Sequence, residues 1–260
     1  HRVDRRQRQM CIRDSLKYRT SNPALNTNTF KSVSSSNSFA LDQKMTIKGT
    51  VDKTAICLIL LLIPAYYVFN SGSVGYAIPG AVIGFLLAIV TIFNRKWSQY
   101  TVPVYSVAQG FFLGGVSYYF NQSYEGIVLQ SISLTVCILF SLLFAYRSKI
   151  IRATKNFKLG LFAAMGGIFL LYGADFIMSF FGSGISVLDI NNSSNLSIGV
   201  SLFIVVIASL NLVIDFDFIE EGSEIGAPKY MEWYGAFGLL VTLIWLYLEI
   251  LRMLAKMKNR

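Results

Sequence analysis

Apolar residues run through this chain in long blocks separated by short polar connections. In order, the blocks cover about Ala55 to Phe69, Val74 to Phe93, Tyr100 to Phe120, Gly126 to Tyr146, Leu159 to Phe181, Ile198 to Asp217 and Trp233 to Leu254. Most approach the roughly 20 residues an α-helix needs to cross about 30 Å of hydrocarbon. The pattern predicts an all-α polytopic membrane protein, a seven-transmembrane-helix bundle over residues 51–260. Pro64 predicts a kink in the first span. Gly80 and Gly84 form a GxxxG pair that lets helices approach closely, and the glycines of the third and fifth spans read the same way (Gly110, Gly114 and Gly115; Gly166, Gly167 and Gly173).

Composition supports the membrane reading. The 260 residues are 54% hydrophobic and only 14% charged, where a soluble domain carries about 25% charge. Cys11, Cys57 and Cys137 have no paired spacing, and the one histidine is His1. A disulfide framework or zinc site is not expected, and any metal would be held by oxygen, which favours Ca²⁺, Mg²⁺ or Mn²⁺. Residues 1–50 are polar, basic and serine-rich, and read as a disordered tail. Within it RRQRQMCIRDS, Arg5 to Ser15, resembles translated sequencing adapter, so residues 1–15 are expected not to be native.

The net charge of +9 is a topology signal rather than a nucleic-acid one, because no aromatic or Gly-rich binding motif accompanies it. Lys44, Lys48 and Lys53 precede the first span. Arg95 and Lys96 follow the second, and Arg147, Lys149, Arg152, Lys155 and Lys158 follow the fourth. The alternate connections carry no Lys or Arg. The alternation places the N-terminus, and the loop with Glu220, Glu221 and Glu224, in the cytoplasm. Seven spans then put the C-terminus outside, although Arg252, Lys256, Lys258 and Arg260 are positive; seven full crossings are nevertheless expected.

The candidate chemistry lies in the acids. Charges in hydrocarbon are costly and face a protein interior or a water-filled path. Asp215 ends the sixth apolar run, Asp217 follows two residues on, and Glu249 interrupts the seventh. Two positions on a helix differ by about 200°, so Asp215 and Asp217 cannot share a face. Asp215 and Glu249 can converge if their helices pack together. Two such carboxylates in a low dielectric share a proton, and ionised they attract a cation such as Ca²⁺. They are the candidate ion- and proton-sensing pair and the candidate metal ligands, with Asp217 and Asp175 as accessory acids. The plain alternatives are a solvated helix end for Asp215 and Asp217, water contact for Asp175, a solvated loop for Glu220, Glu221 and Glu224, and an i,i+3 ion pair of Glu249 with Arg252. Gln109 beside Gly110 is a pore or packing position, most simply an interhelical hydrogen-bonding group. No phosphate loop, GxSxG or HExxH is present, and an enzyme is not expected.

The stretch NLVIDFDFIEEGSEIGAPKYMEWYGAFGLLVTLIWLYLEILRML, with SNPAL and MTIKGTVDKT before the first span, resembles the Bax inhibitor-1 family, most closely its bacterial YccA-like branch. The resemblance implies a seven-helix bundle with the last helix near its centre and a pH-sensitive cation leak, chiefly of Ca²⁺, controlled by acids on the last two helices. Asp215 in VIDFDF and Glu249 in LYLEIL stand at those two places. Where the family has Glu-Gly in the third span this chain has Gln109-Gly110, and its connection from Asp215 to Glu249 is longer than in typical members. Two functions follow as expectations. One is a Ca²⁺-permeable, proton-regulated leak channel or exchanger in a bacterial cytoplasmic membrane. The other is a non-transporting protein that binds and modulates a membrane protease or stress-response complex. A small-solute transporter is a third, weaker idea.

Overall fold

A computed structural model describes residues 44–182 and 184–260. The expected disordered tail, with its non-native start, lies outside them except for its last residues. Among the described residues seven α-helices are present: α1 Ile47–Ser71, α2 Ala77–Phe93, α3 Ser98–Ser123, α4 Ile127–Arg147, α5 Lys155–Phe180, α6 Asn195–Glu224 and α7 Met231–Lys258. Six are long and apolar enough to cross a membrane. The seventh, α3, is more polar and hides its polar groups: Ser98, Thr101, Ser106 and Ser117 are buried. Thr101 and Thr91 of α2 join hydroxyls at 2.7 Å, which satisfies both inside the bundle.

Helix ends follow local chemistry more than hydropathy. α1 begins at Ile47, ahead of the apolar run, because the Thr46 hydroxyl accepts from the Gly49 amide as an N-cap. α6 runs on through Glu220, Glu221 and Glu224, which the sequence reading assigned to a loop. Charge alone does not end a helix. The stop comes at Gly226, left-handed at φ 67°, where Gly226 N–H donates to Ser223 and Ala227 N–H to Gly222. These two bonds close a Schellman turn that needs a glycine.

The helices alternate in direction and all seven run between the same two ends. At one end the α1 start, the α2–α3 turn, the α4–α5 loop and the α6–α7 loop meet. Thr46 contacts Glu232, Ser98 donates to the Tyr230 carbonyl, and Lys158 pairs with Asp217. At the other end the C-terminus of α7 meets the α3–α4 and α5–α6 loops: Lys256 donates to Val187 O and Lys258 to Glu125 O, at 2.8 and 2.7 Å. α7 therefore spans the whole bundle. α6 and α7 form its centre, with 61% of each apolar window buried against 11–17% in the other four candidate spans. Leu212, Leu240, Leu246 and Phe237 build the core between them. Large apolar side chains of the outer helices, such as Ile78, Phe85, Leu129 and Phe169, point outward, as a lipid-facing surface requires.

Candidate functional site

Asp215 is fully buried (0% exposed) on the inner face of α6. Asp217, about 200° round the helix, is half-exposed and pairs with Lys158 at the start of α5. The expected division of the two faces is therefore present. One turn before Asp215, Asn211 donates its amide N–H to the Thr242 hydroxyl of α7 at 3.1 Å, and both residues are 2% exposed.

Glu249 is 2% exposed on α7. Its Oε1 accepts from the Tyr172 hydroxyl of α5 at 2.8 Å and from the Trp245 indole at 3.1 Å. Arg252 lies 3.6 Å from the same oxygen and donates to the Tyr172 hydroxyl at 2.6 Å. The i,i+3 ion pair is thus present, as part of a partly buried network that links α5 and α7. Such a network is strong because each donor polarises the next.

α6 and α7 do pack together, antiparallel, and their register sets the depth of the two acids. Asn211 meets Thr242, Ile219 meets Gly235, and the helices end and begin at Glu224 and Met231. The level of Asp215 on α7 is therefore Gly238 to Leu240, about ten residues from Glu249, or roughly 15 Å at 1.5 Å per residue. The two acids occupy the same α6–α7 seam at different depths. Among the described residues no three His, Cys, Asp or Glu side chains converge to hold a metal ion.

The acids at the end of α6 form a separate feature. Asp217, Glu220, Glu221 and Glu224, at i, i+3, i+4 and i+7 on α6, line a cleft of about 420 Å³ with Ala153, Thr154, Lys155 and Lys158. The Tyr146 hydroxyl of α4 donates to Glu220. Asp217 and Glu220 thus hold the start of α5 and the end of α4 to α6. Asp175 has a similar duty at the other end, where its Oδ1 accepts from the Ile185 N–H at 2.7 Å and orders the α5–α6 loop.

Gln109 and Gly110 sit where α3 contacts two neighbours. A methyl group on Gly84 of α2 would lie 2.6 Å from the Gln109 amide, and one on Gly110 would overlap the Leu61 carbonyl of α1. Both are packing positions. Among the described residues Gln109 Oε1 is buried and accepts no hydrogen bond.

Sequence reasoning passed over Glu232. It is fully buried in the first turn of α7, accepts from Thr46 N–H at 3.1 Å and Thr46 Oγ1 at 2.9 Å, and has Lys53 at 3.7 Å. Its carboxylate sits against the starts of both α1 and α7, where the helix dipoles favour negative charge. The sequence marks it only as an acid just past the Gly-Ala-Pro connection, with nothing local to name its partner. Asn211 was also missed, although it lies four residues before Asp215 in an apolar run.

The chain matches the family model described as Bax inhibitor 1 like over residues 22–259, and so belongs to that family. No curated protein and no solved structure matches it.

Proposed function

We propose that this Bax inhibitor 1-like protein, of the YccA-like branch, is a proton-sensitive cation leak pathway, chiefly for Ca²⁺, in a bacterial cytoplasmic membrane. The observation that carries the reading is two carboxylates, Asp215 and Glu249, buried in the two helices that the others surround. Acids buried within a membrane bundle are costly, and they face a polar partner or a water-filled path. A carboxylate stripped of water offers a cation the oxygen ligands and charge that replace its own hydration.

The two acids act as successive stations along the α6–α7 seam rather than as one hydrogen-bonded dyad. Asp215 faces the cation from the end where the cytoplasmic loops gather. Glu249 faces it from deeper in the seam, flanked by Tyr172 of α5 and by Arg252 and Lys256 of α7. Arg252 and the Tyr172 hydroxyl hold Glu249 in place, and a cation arriving there competes with that guanidinium. Protonation removes the charge of either acid and with it the attraction for the ion, so flux falls as pH falls.

The test is Ca²⁺ flux into liposomes carrying the purified protein at pH 6 and pH 8. Wild type is expected to conduct faster at pH 8. Asp215→Asn is expected to lose most of the flux and its pH dependence, and Glu249→Gln to shift the dependence. Folded protein with no flux at either pH would remove this reading and leave that of a non-transporting partner of a membrane protease or stress-response complex, which co-purification would then have to show.

A further inference from the structure

A gap of about 15 Å between two carboxylate stations is too long for one step of a dehydrated ion, and the helix faces that carry the two acids are otherwise apolar between them: Leu246 of α7 and Ile207, Ala208 and Leu212 of α6 are buried. Asn211 and Thr242 break this stretch. Asn211 is at i−4 from Asp215, on the same face and about 6 Å along the axis. Thr242 is at i−7 from Glu249, again on one face and about 10 Å along. The pair thus divides one long step into two shorter ones.

Its hydrogen bonding leaves a ligand atom. The Asn211 Nδ2–H···Oγ1 bond to Thr242 is 3.1 Å, which fixes the amide with Oδ1 turned away from the hydroxyl. Among the described residues Asn211 Oδ1 is buried and accepts no hydrogen bond. An amide oxygen with no donor, 98% hidden at the centre of a bundle, is destabilising. A leucine would fill that place on α6 at no such cost, so packing does not account for the asparagine.

We infer that the Asn211 amide oxygen and the Thr242 hydroxyl form a third, uncharged oxygen station that receives a dehydrated cation passing between Asp215 and Glu249. The inference rests on the cation-pathway reading above and deepens it. Amide and hydroxyl oxygens are hard ligands for Ca²⁺ and Na⁺. Carrying no charge, they hold the ion less tightly than the carboxylates on either side, which conduction requires of an intermediate site.

The experiment uses the full chain in liposomes, with Ca²⁺ and Na⁺ flux measured separately for wild type, Asp215→Asn, Asn211→Leu, Asn211→Asp and Thr242→Val. Asn211→Leu is expected to lower Ca²⁺ flux about tenfold, the loss of one ion–oxygen contact. Asn211→Asp keeps the size and adds a charge, and is expected to raise the ratio of Ca²⁺ to Na⁺ flux severalfold. A merely structural role would not move that ratio. Monodisperse Asn211→Leu protein with wild-type melting and wild-type flux would overturn the inference. If Asn211→Leu fails to fold, an unchanged flux ratio in both Asn211→Asp and Thr242→Val overturns it equally. Flux abolished by Asp215→Asn but untouched at position 211 removes the third station and leaves the pathway. No flux in wild type removes both.

Discussion

Glu232 ties two helix starts together through a residue that must have no side chain. A methyl group placed on Gly49 would overlap its carboxylate, so the glycine is what lets α1 and α7 approach. Gly49→Ala is expected to destabilise the protein by about 1–3 kcal/mol, the usual cost of overpacking a filled site. Thermal unfolding in detergent measures it. Glu232→Ala removes the acceptor for the Thr46 N–H and hydroxyl and is expected to cost a similar amount. The double variant is expected to cost little more than either, because both changes break the same contact. Strict additivity would mean that Gly49 and Glu232 act independently. None of this pairing was legible in the sequence: residues 49 and 232 stand at opposite ends of the chain, and nothing local marks which acid a helix start will recruit. That Asp215 and Asp217 lie on different faces was legible, because two residues on one helix fix an angle with no tertiary knowledge; which face is the inner one depends on the neighbouring helices.

Elements differ in what their glycines do, although the sequence presents them alike. Along α3, a methyl group on Gly114 would lie 2.6 Å from the Ala65 carbonyl and 2.9 Å from Val68 Cβ, and one on Gly115 would lie 2.6 Å from Ala77 Cβ. α1, α2 and α3 thus close on one another through glycine, as the GxxxG pattern predicts. Along α5, Gly160, Gly166, Gly167 and Gly173 have nothing within 4 Å. The expectation of close packing fails there, because spacing shows that a backbone is bare and not which helix lies against it. Gly114→Ala is expected to destabilise by about 1–3 kcal/mol. Gly166→Ala is expected to be neutral or to stabilise by up to about 1 kcal/mol through helix propensity. Melting of the two variants side by side checks the contrast, and a comparable loss in both would show that α5 is packed after all.

At the scale of the whole molecule, helix number and class were legible because six of the seven segments are long and apolar in their own right. The depth of Asp215 relative to Glu249 was not, because it depends on the α6–α7 register, which the short connection from Ile225 to Tyr230 and the Asn211–Thr242 contact set together. The basic C-terminus, at odds with seven crossings on a count of charges, lies at the end of the bundle away from Lys48 and Lys149. Lys256 is fully buried and Lys258 is also engaged, each donating to a loop carbonyl at the end away from Lys48 and Lys149. Ammonium groups that close loops are held there by hydrogen bonds, whereas the orientation rule concerns cations free to choose a side. Seven crossings with a cytoplasmic start make a definite prediction for single cysteines in a cysteine-free background. In intact cells Arg260→Cys is expected to react with a membrane-impermeant thiol reagent, and Lys149→Cys only after permeabilisation. Labelling of both from the same side would mean that an odd number of α5, α6 and α7 does not cross. Reaction of Lys149→Cys alone in intact cells would keep the odd number of crossings over α5 to α7 and invert this part of the protein, placing the Asp217–Glu224 cleft outside and reversing the end from which a cation first meets Asp215.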